Sequence, residues 1–320
     1  MLMLYQGPIA GGTIGSEHPD VPRAVSKEFF NEVCPDKFVV DANAMKSELE
    51  GATGDQTTRA WVMKLRDVGH RCVEIPKGSS HIFDNVMFGE SRLLDVWSEL
   101  STSPVLRRFA WSPLVLDAYN RNRHVFEYGA NRTTIDHSGH LHGLLVVHIR
   151  RGDFKGHCKY LQKHSSGYNA FNLFPEFSDR FEPPSEYWSR TTYYTNHCYP
   201  SIKRMLFKIE DVQQRQHTLR RLHIMTNAKK PWLGRLVTEL DRTSSWDVIT
   251  TSRDLNLTRE QKYASQALDA LIAQRAEAFI GNGSHVKHQH VTDGGRTRSI
   301  FDLLLVIPHS TTGYARSQSD

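Results

Sequence analysis

From Ile202 to Gly281 the apolar residues alternate between two periods, and this alternation restricts the fold more than any other feature of the chain. Helical spacing over Ile202–Arg220 gives way to a short apolar run at Arg221–Thr226. The pair recurs as helix Pro231–Leu240 with strand Trp246–Thr250, and as helix Thr258–Arg275 with strand Glu277–Gly281. Strands regularly separated by helices pair in parallel through right-handed crossovers, so a doubly wound parallel sheet is expected here. Thr258 with Gln261 three residues on is a capping box, which fixes where the last helix begins.

A further strand stands upstream. Gly143 to Val147 carry no charge and are followed at once by His148, Arg150, Arg151 and Asp153 around one glycine, as when a buried strand delivers polar groups to a sheet edge. Open parallel sheets bind ligands beyond the carboxyl ends of their strands, and two adjacent guanidinium forks there suit a phosphate or carboxylate. A surface turn in which Arg and Asp pair with each other is the plain alternative.

The remaining stretches offer scaffold. Phe38-Val39-Val40 and Arg71 to Ile75 read as short strands that pair in a sheet, and Ser91–Leu100 has a helical apolar face. Ser112-Pro113 opens another helix, and Phe109, Trp111, Leu114, Leu116 and Tyr119 read as core. Lys159–Ser201, rich in Tyr, Asn, Pro and Ser, reads as a long loop of lid or acceptor-facing type. Within it Asn169 to Phe174 and Tyr193-Tyr194 are candidates for stacking on a sugar or peptide.

Composition narrows the function classes. With 320 residues and 39 % hydrophobic content the chain can bury a sizeable core. Its 40 Lys+Arg against 35 Asp+Glu are scattered, without the runs that mark nucleic-acid or membrane tails, so a local anion site fits better than a polyanion groove. No apolar run has the length of a membrane span, and Met1 to Tyr5 is too short for a signal-peptide core, which as written places the chain in the cytoplasm. Cys34, Cys72, Cys158 and Cys198 show no C-x-x-C spacing, which argues against structural zinc and leaves any disulfide pairing open. Asn131, Asn256 and Asn282 head N-glycosylation sequons, which favour a secretory lumen slightly.

His148-Ile149-Arg150-Arg151-Gly152-Asp153-Phe154 resembles the first signature of the protein O-fucosyltransferase-like glycosyltransferases, in particular their divergent fungal members. Ala276 to Gly283, with Asp269 twelve residues before Gly281, resembles the last motif of that family, and His223 to Asn227 resembles a weaker middle one. The resemblance implies a GT-B-like fold of two Rossmann-like halves with parallel sheets. Residues 1–142 would form an incomplete N-terminal half with a helical scaffold, 143–283 the nucleotide-sugar-binding half including loop 159–201, and 284–320 an atypical tail. It implies GDP-fucose as donor, inverting transfer to a hydroxyl on a protein or glycan, no obligatory metal or other cofactor, and an ER or Golgi lumenal site. Arg150 would be the catalytic residue at the pyrophosphate. His148, Arg151, Asp153, Thr226, Asn227, Asp269, Gly281, Asn282 and Ser284 would bind the donor. A catalytically incomplete nucleotide-sugar-binding pseudoenzyme or truncated gene product is the alternative.

The match breaks after Gly283. His285 and Val286 stand where the family has a hydroxyl pair, Ser284 comes one position early, and residues 286–296 show neither helical nor strand periodicity. Three histidines in six residues (His285, His288, His290) are not read as metal ligands, because codons compatible with Gly283 to Asp293, taken one nucleotide later, permit Leu-Thr-Ser-Asn-Ile-Asn-Met-Leu-Arg-Met. That is a hydroxyl turn opening an amphipathic helix, so the tail is read as out of frame. No general base is assignable from the sequence.

Overall fold

The computed structural model describes residues 27–281 except 77, 84–85, 108, 128–138, 153, 166–169, 176–180 and 244, together with the backbone of 290–293 and 296–299. It is an α/β structure with two parallel sheets. The larger sheet contains β3 (Leu141–Ile149), β4 (Arg221–Thr226), β5 (Val248–Thr251) and β6 (Ala276–Ile280), in the spatial order β5-β4-β3-β6.

Alternation along β3 explains its central place. Leu144 and Val146 enter one core and Leu145, Val147 and Ile149 the other, so both faces are buried, as in a sheet covered by helices on each side. α10 (Ile202–Arg215) and α11 (Lys230–Thr243) cover the second face, with Met205 and Ile209 from one and Leu233, Leu236 and Leu240 from the other spaced to lie on single helix faces. α13 (Ser265–Arg275) covers the first face through Leu268, Leu271 and Ile272. Gly143 has φ +78°, and a Cβ there would meet Thr218 O at 3.1 Å. The register of β3 against β6 shifts around this residue, which is the role of glycine in a bulge.

The smaller sheet pairs β1 (Lys37–Val39) with β2 (Cys72–Glu74), as the sequence led us to expect. α2 (Ala42–Glu48), capped by Asp41, and α3 (Gly54–Arg66), opened by a Thr53–Gln56 capping box, surround a core of Val40, Met45 and Trp61. A Cys34–Cys72 disulfide closes this unit against α1 (Lys27–Val33). The 3₁₀ turn Ser91–Val96 with α4 (Trp97–Thr102), α5 (Pro104–Arg107), α6 (Pro113–Arg121) and α7 (Arg123–Phe126) follow. Leu93, Val115, Tyr119 and Phe126 from this stretch enter the same core as α13 and β3. Arg221 joins them across the sheet, donating to Phe126 O at 2.6 Å and to His142 O.

Three sequence readings change. Lys159–Ser201 contains regular helix among its described residues: α8 (Phe154–Lys163) runs into it, and α9 (Tyr187–Cys198) lies near its end. Glu186 caps α9 by accepting from Trp188 N at 3.0 Å and Ser189 N at 2.7 Å, and a Cys158–Cys198 disulfide ties the two helices. The helix expected over Thr258–Arg275 breaks at Ala264 into α12 (Arg259–Tyr263) and α13; the expected capping box is present, and the buried Gln261 also donates to Asp117 at 2.7 Å. The stretch 286–296 has strand backbone at its end: β7 (His290–Asp293) pairs antiparallel with β8 (Arg296–Ser299). Among the described residues no helix is long and apolar enough to cross a membrane.

Candidate functional site

From β3 the chain steps outward through β4 to β5 and then returns past β3 to lay down β6, so the topological switch point lies between the carboxyl ends of β3 and β6. Helices on opposite faces diverge there and leave a crevice. A cavity of about 360 Å³ occupies this place, with Val147, Ile149 and Ile280 as its apolar wall, His148 and Gly281 at the strand ends, and Arg204 and Lys208 of α10 on its rim. An apolar wall with a few polar and cationic groups is the usual construction of a small-molecule site.

Arg150 follows Ile149 directly, half-buried, with its guanidinium 5.3 Å from the Phe154 ring centroid. Arg151 is committed elsewhere. Its guanidinium lies 3.8 Å from the Tyr199 ring and 4.4 Å from the Trp232 ring, and donates to Pro200 O at 2.9 Å. Removal from water holds its pKa below the usual arginine value. Arg151 is thus a clamp between the α9–α10 corner and α11.

The next turn is built by Gly152 and Asn227. Gly152 has φ +38°, and a Cβ there would meet Asn227 Nδ2 at 3.0 Å, so a side chain would press on the amide that accepts from Arg151 N at 2.7 Å. Thr226 Oγ1 donates to Ile149 O at 2.6 Å and accepts from Ala228 N at 3.1 Å, tying the ends of β3 and β4. Thr226 and Asn227 therefore shape the strand-end crest. Asp153, Asn282 and Ser284 lie outside the described residues.

Asp269 projects from α13 on the other face and does not line the crevice. By helical position alone it reads as solvated, yet burial lifts its carboxyl to about 7, against the opposing hydrogen bond from Ser252 Oγ at 3.0 Å. The folded chain accordingly retains a proton that the unfolded chain releases above its ordinary value of 3.8. The stability this provides is full below that value and is lost as pH rises through about 7. Asp269→Asn carries no such proton, so its melting temperature relative to wild type should rise between pH 5 and pH 8. Thermal melts across that range check this, and a pH-independent difference would refute it.

His223 lies inside β4, fully buried, with Nδ1 2.8 Å from Thr250 Oγ1 and no hydrogen-bond partner for Nε2 among the described residues. Desolvation pushes its pKa down to about 4, which keeps it neutral.

No protein-family model and no curated protein matches the chain. Among solved structures, POFUT1 in complex with GDP aligns with 82 % of this chain and 72 % of its own, at 10 % identity and a TM-score of 0.38. The apo-form of POFUT1 aligns with 82 % of this chain and 74 % of its own (13 % identity, TM-score 0.39), and a GDP-fucose complex with 82 % and 73 % (12 %, 0.39). A likeness this distant assigns no residue a role, and the roles below rest on the strand-end geometry.

Of the residues expected at the site, His148 and Gly281 line the crevice; Arg150 follows the lining residue Ile149 in the chain but is not itself part of the lining, Thr226, Asn227 and Arg151 support the crest, and Asp269 lies apart. Sequence reasoning missed Asn196 and His197 because it placed α9 in a loop, and it missed Arg204 and Lys208 because nothing in the helical spacing of α10 shows that one of its faces borders the crevice. The signal for the α9 pair was present as four-residue spacing: Trp188, Thr192 and Asn196 form one stripe of α9, and Ser189, Tyr193 and His197 the next.

Proposed function

We propose that the chain is a GDP-fucose-dependent glycosyltransferase of GT-B-like organisation that moves fucose, with inversion, to a hydroxyl on a protein or glycan. The observation that carries the reading is the position of the His148–Phe154 signature. It ends β3 at the switch point, with Gly281 of the last motif across the same crevice.

The chemistry follows from placing the diphosphate at that crevice. When an acceptor oxygen bonds to the sugar C1, the bond from C1 to the β-phosphate oxygen breaks and its electron pair leaves on GDP. Negative charge grows on the phosphate in the transition state. A guanidinium already fixed beside it stabilises that state more than the ground state, so Arg150 lowers the barrier and no metal is required. The apolar wall and Arg204 would hold the nucleotide portion, while Lys208 on the same rim is paired with Asp211 at 3.7 Å. Two disulfides and the exposed Asn256 sequon favour an oxidising, lumenal compartment.

Calorimetric titration with GDP, with UDP and ADP as controls, tests the donor. Saturable GDP binding at least tenfold tighter than either control is expected, together with release of fucose from GDP-fucose. Binding without turnover would instead support a catalytically incomplete module, and no GDP binding would remove both readings.

A further inference from the structure

We propose that the outer surface of α9 is an acceptor subsite that takes a neutral oligosaccharide, and that His197 receives the proton of the reacting hydroxyl. This rests on the donor reading given above.

An open concavity of about 540 Å³ lies along α9, bounded by Pro184, Trp188, Ser189, Thr192, Tyr193 and the Asn196–His197 pair, with Arg204 at its end. Asn196, His197 and Arg204 also line the switch-point crevice, so the two spaces are adjacent and share these side chains as a common wall. Trp188 is 75 % exposed, the highest value among the exposed large apolar side chains of the described residues, and its neighbour Tyr187 stands edge-on at 5.4 Å and is 55 % exposed. An indole presented to water at the rim of a concavity is costly unless something covers it.

The remaining lining decides what covers it. Hydroxyls of Ser189 and Thr192, the Asn196 amide, the His197 imidazole and the Arg204 guanidinium can donate to or accept from sugar hydroxyls, and none of the lining residues is acidic. One aromatic face with a ring of mostly neutral donors and acceptors matches the apolar face and hydroxyl rim of a pyranose. An apolar peptide would leave these polar groups unpaired, and a basic one would meet Arg204. From Trp188 to Asn196 the helix rises about 12 Å, which spans an oligosaccharide rather than a single ring.

His197 is oriented for its task. Its Nδ1 lies 2.8 Å from Tyr193 O, and because a carbonyl only accepts, Nδ1 carries the hydrogen. In the neutral ring Nε2 then holds the lone pair. The Tyr193 ring stacks on the imidazole at 4.0 Å and the Tyr193 hydroxyl accepts from Glu182 N at 3.1 Å, so ring and partner are fixed together. As the acceptor oxygen bonds to C1 and GDP departs with the electron pair, the hydroxyl proton passes to Nε2.

The test uses the full chain with a panel of short neutral oligosaccharides, namely chito-, manno-, gluco- and galacto-series. Affinity is read by calorimetry in the presence and absence of GDP. Trp188→Ala is expected to weaken the best binder at least tenfold and leave the GDP Kd unchanged. His197→Gln is expected to keep both affinities within a few-fold, lower kcat about a hundredfold and abolish the acid limb of the pH–rate profile. Binding by no member of the panel, affinity indifferent to Trp188, or a peptide that alone shows the Trp188 dependence overturns the subsite. An unchanged pH profile in His197→Gln overturns the role of the histidine. Trp188-dependent oligosaccharide binding without GDP binding leaves the subsite standing and rejects the donor reading, whereas GDP binding without oligosaccharide binding does the reverse.

Discussion

On the proposed donor reading, replacing Arg150 with alanine is expected to slow fucose transfer from GDP-fucose by two to three orders of magnitude, roughly the loss seen when one preorganised donor to a developing anion is removed. The argument is geometric. Arg150 is the first residue beyond β3, and the three strand-end contacts behind it hold the turn that follows: Thr226 on Ile149 O, Asn227 on Arg151 N, and the Arg151 sandwich between Tyr199 and Trp232. These contacts fix the backbone on either side of Arg150, and its guanidinium lies 5.3 Å from the Phe154 ring centroid. GDP binding should weaken less than turnover, because the ground-state diphosphate carries less charge on the departing oxygen than the transition state does. Arg150→Lys should recover only part of the rate, since an ammonium lacks the fork. Single-turnover kinetics with Arg150→Ala measure the effect, and a rate within threefold of wild type would remove Arg150 from the mechanism.

The second large effect concerns the Cys158–Cys198 bridge. It closes a segment with a separation of 40 residues, for which loop-closure entropy predicts about 4 kcal/mol of stabilisation. In a chain of this size that corresponds to a fall in melting temperature of roughly 10 °C for the Cys158→Ser, Cys198→Ser variant. The bridge fastens α8 to the end of α9, and that end leads directly into Tyr199 and Pro200, the contacts of Arg151. Loss of the bridge should therefore reach the strand-end crest as well as the melting curve. Scanning calorimetry of the double serine variant checks the first part, and an unchanged melting temperature would show that α8 and α9 are held by packing of Phe181, Leu161 and Tyr194 alone.

Much of the larger sheet was legible because its rules are local. β4 was read with its observed bounds, and the Thr258–Gln261 capping box is present, since an apolar run and a cap depend on residues a few positions apart. The strand pair β1 and β2 was legible for the same reason. What escaped depends on partners distant in sequence. Arg151 was expected to bind the donor beside Arg150, and only its contacts with Tyr199 and Trp232 show it as a clamp. Asp269 was expected at the donor from the motif resemblance, and a helix period does not show that it packs on the other face of the sheet, beneath Ser252. α9 hid behind its β-branched and aromatic composition, and it is a helix because Glu186, the disulfide and the buried Phe181 and Tyr194 make it one. The candidate stackers Phe174 and Tyr194 are accordingly buried, and the exposed ring is Trp188.

The bonds of Arg221 have a consequence for cooperativity. One guanidinium within β4 holds carbonyls at the end of α7 and the start of β3, and the core on that face draws on Leu93, Val115 and Phe126 as much as on Leu268 and Ile272. Opening the helices before β3 would strand a buried cation and expose the sheet together, so these elements should exchange amide protons as one foldon. The unit of β1, β2, α2 and α3 has its own core and its own covalent tie, and is joined to the main core through the N-terminus of α3, where Asp55 N donates to Asp95 at 3.0 Å and Ala52 O accepts from Arg92 at 2.7 Å.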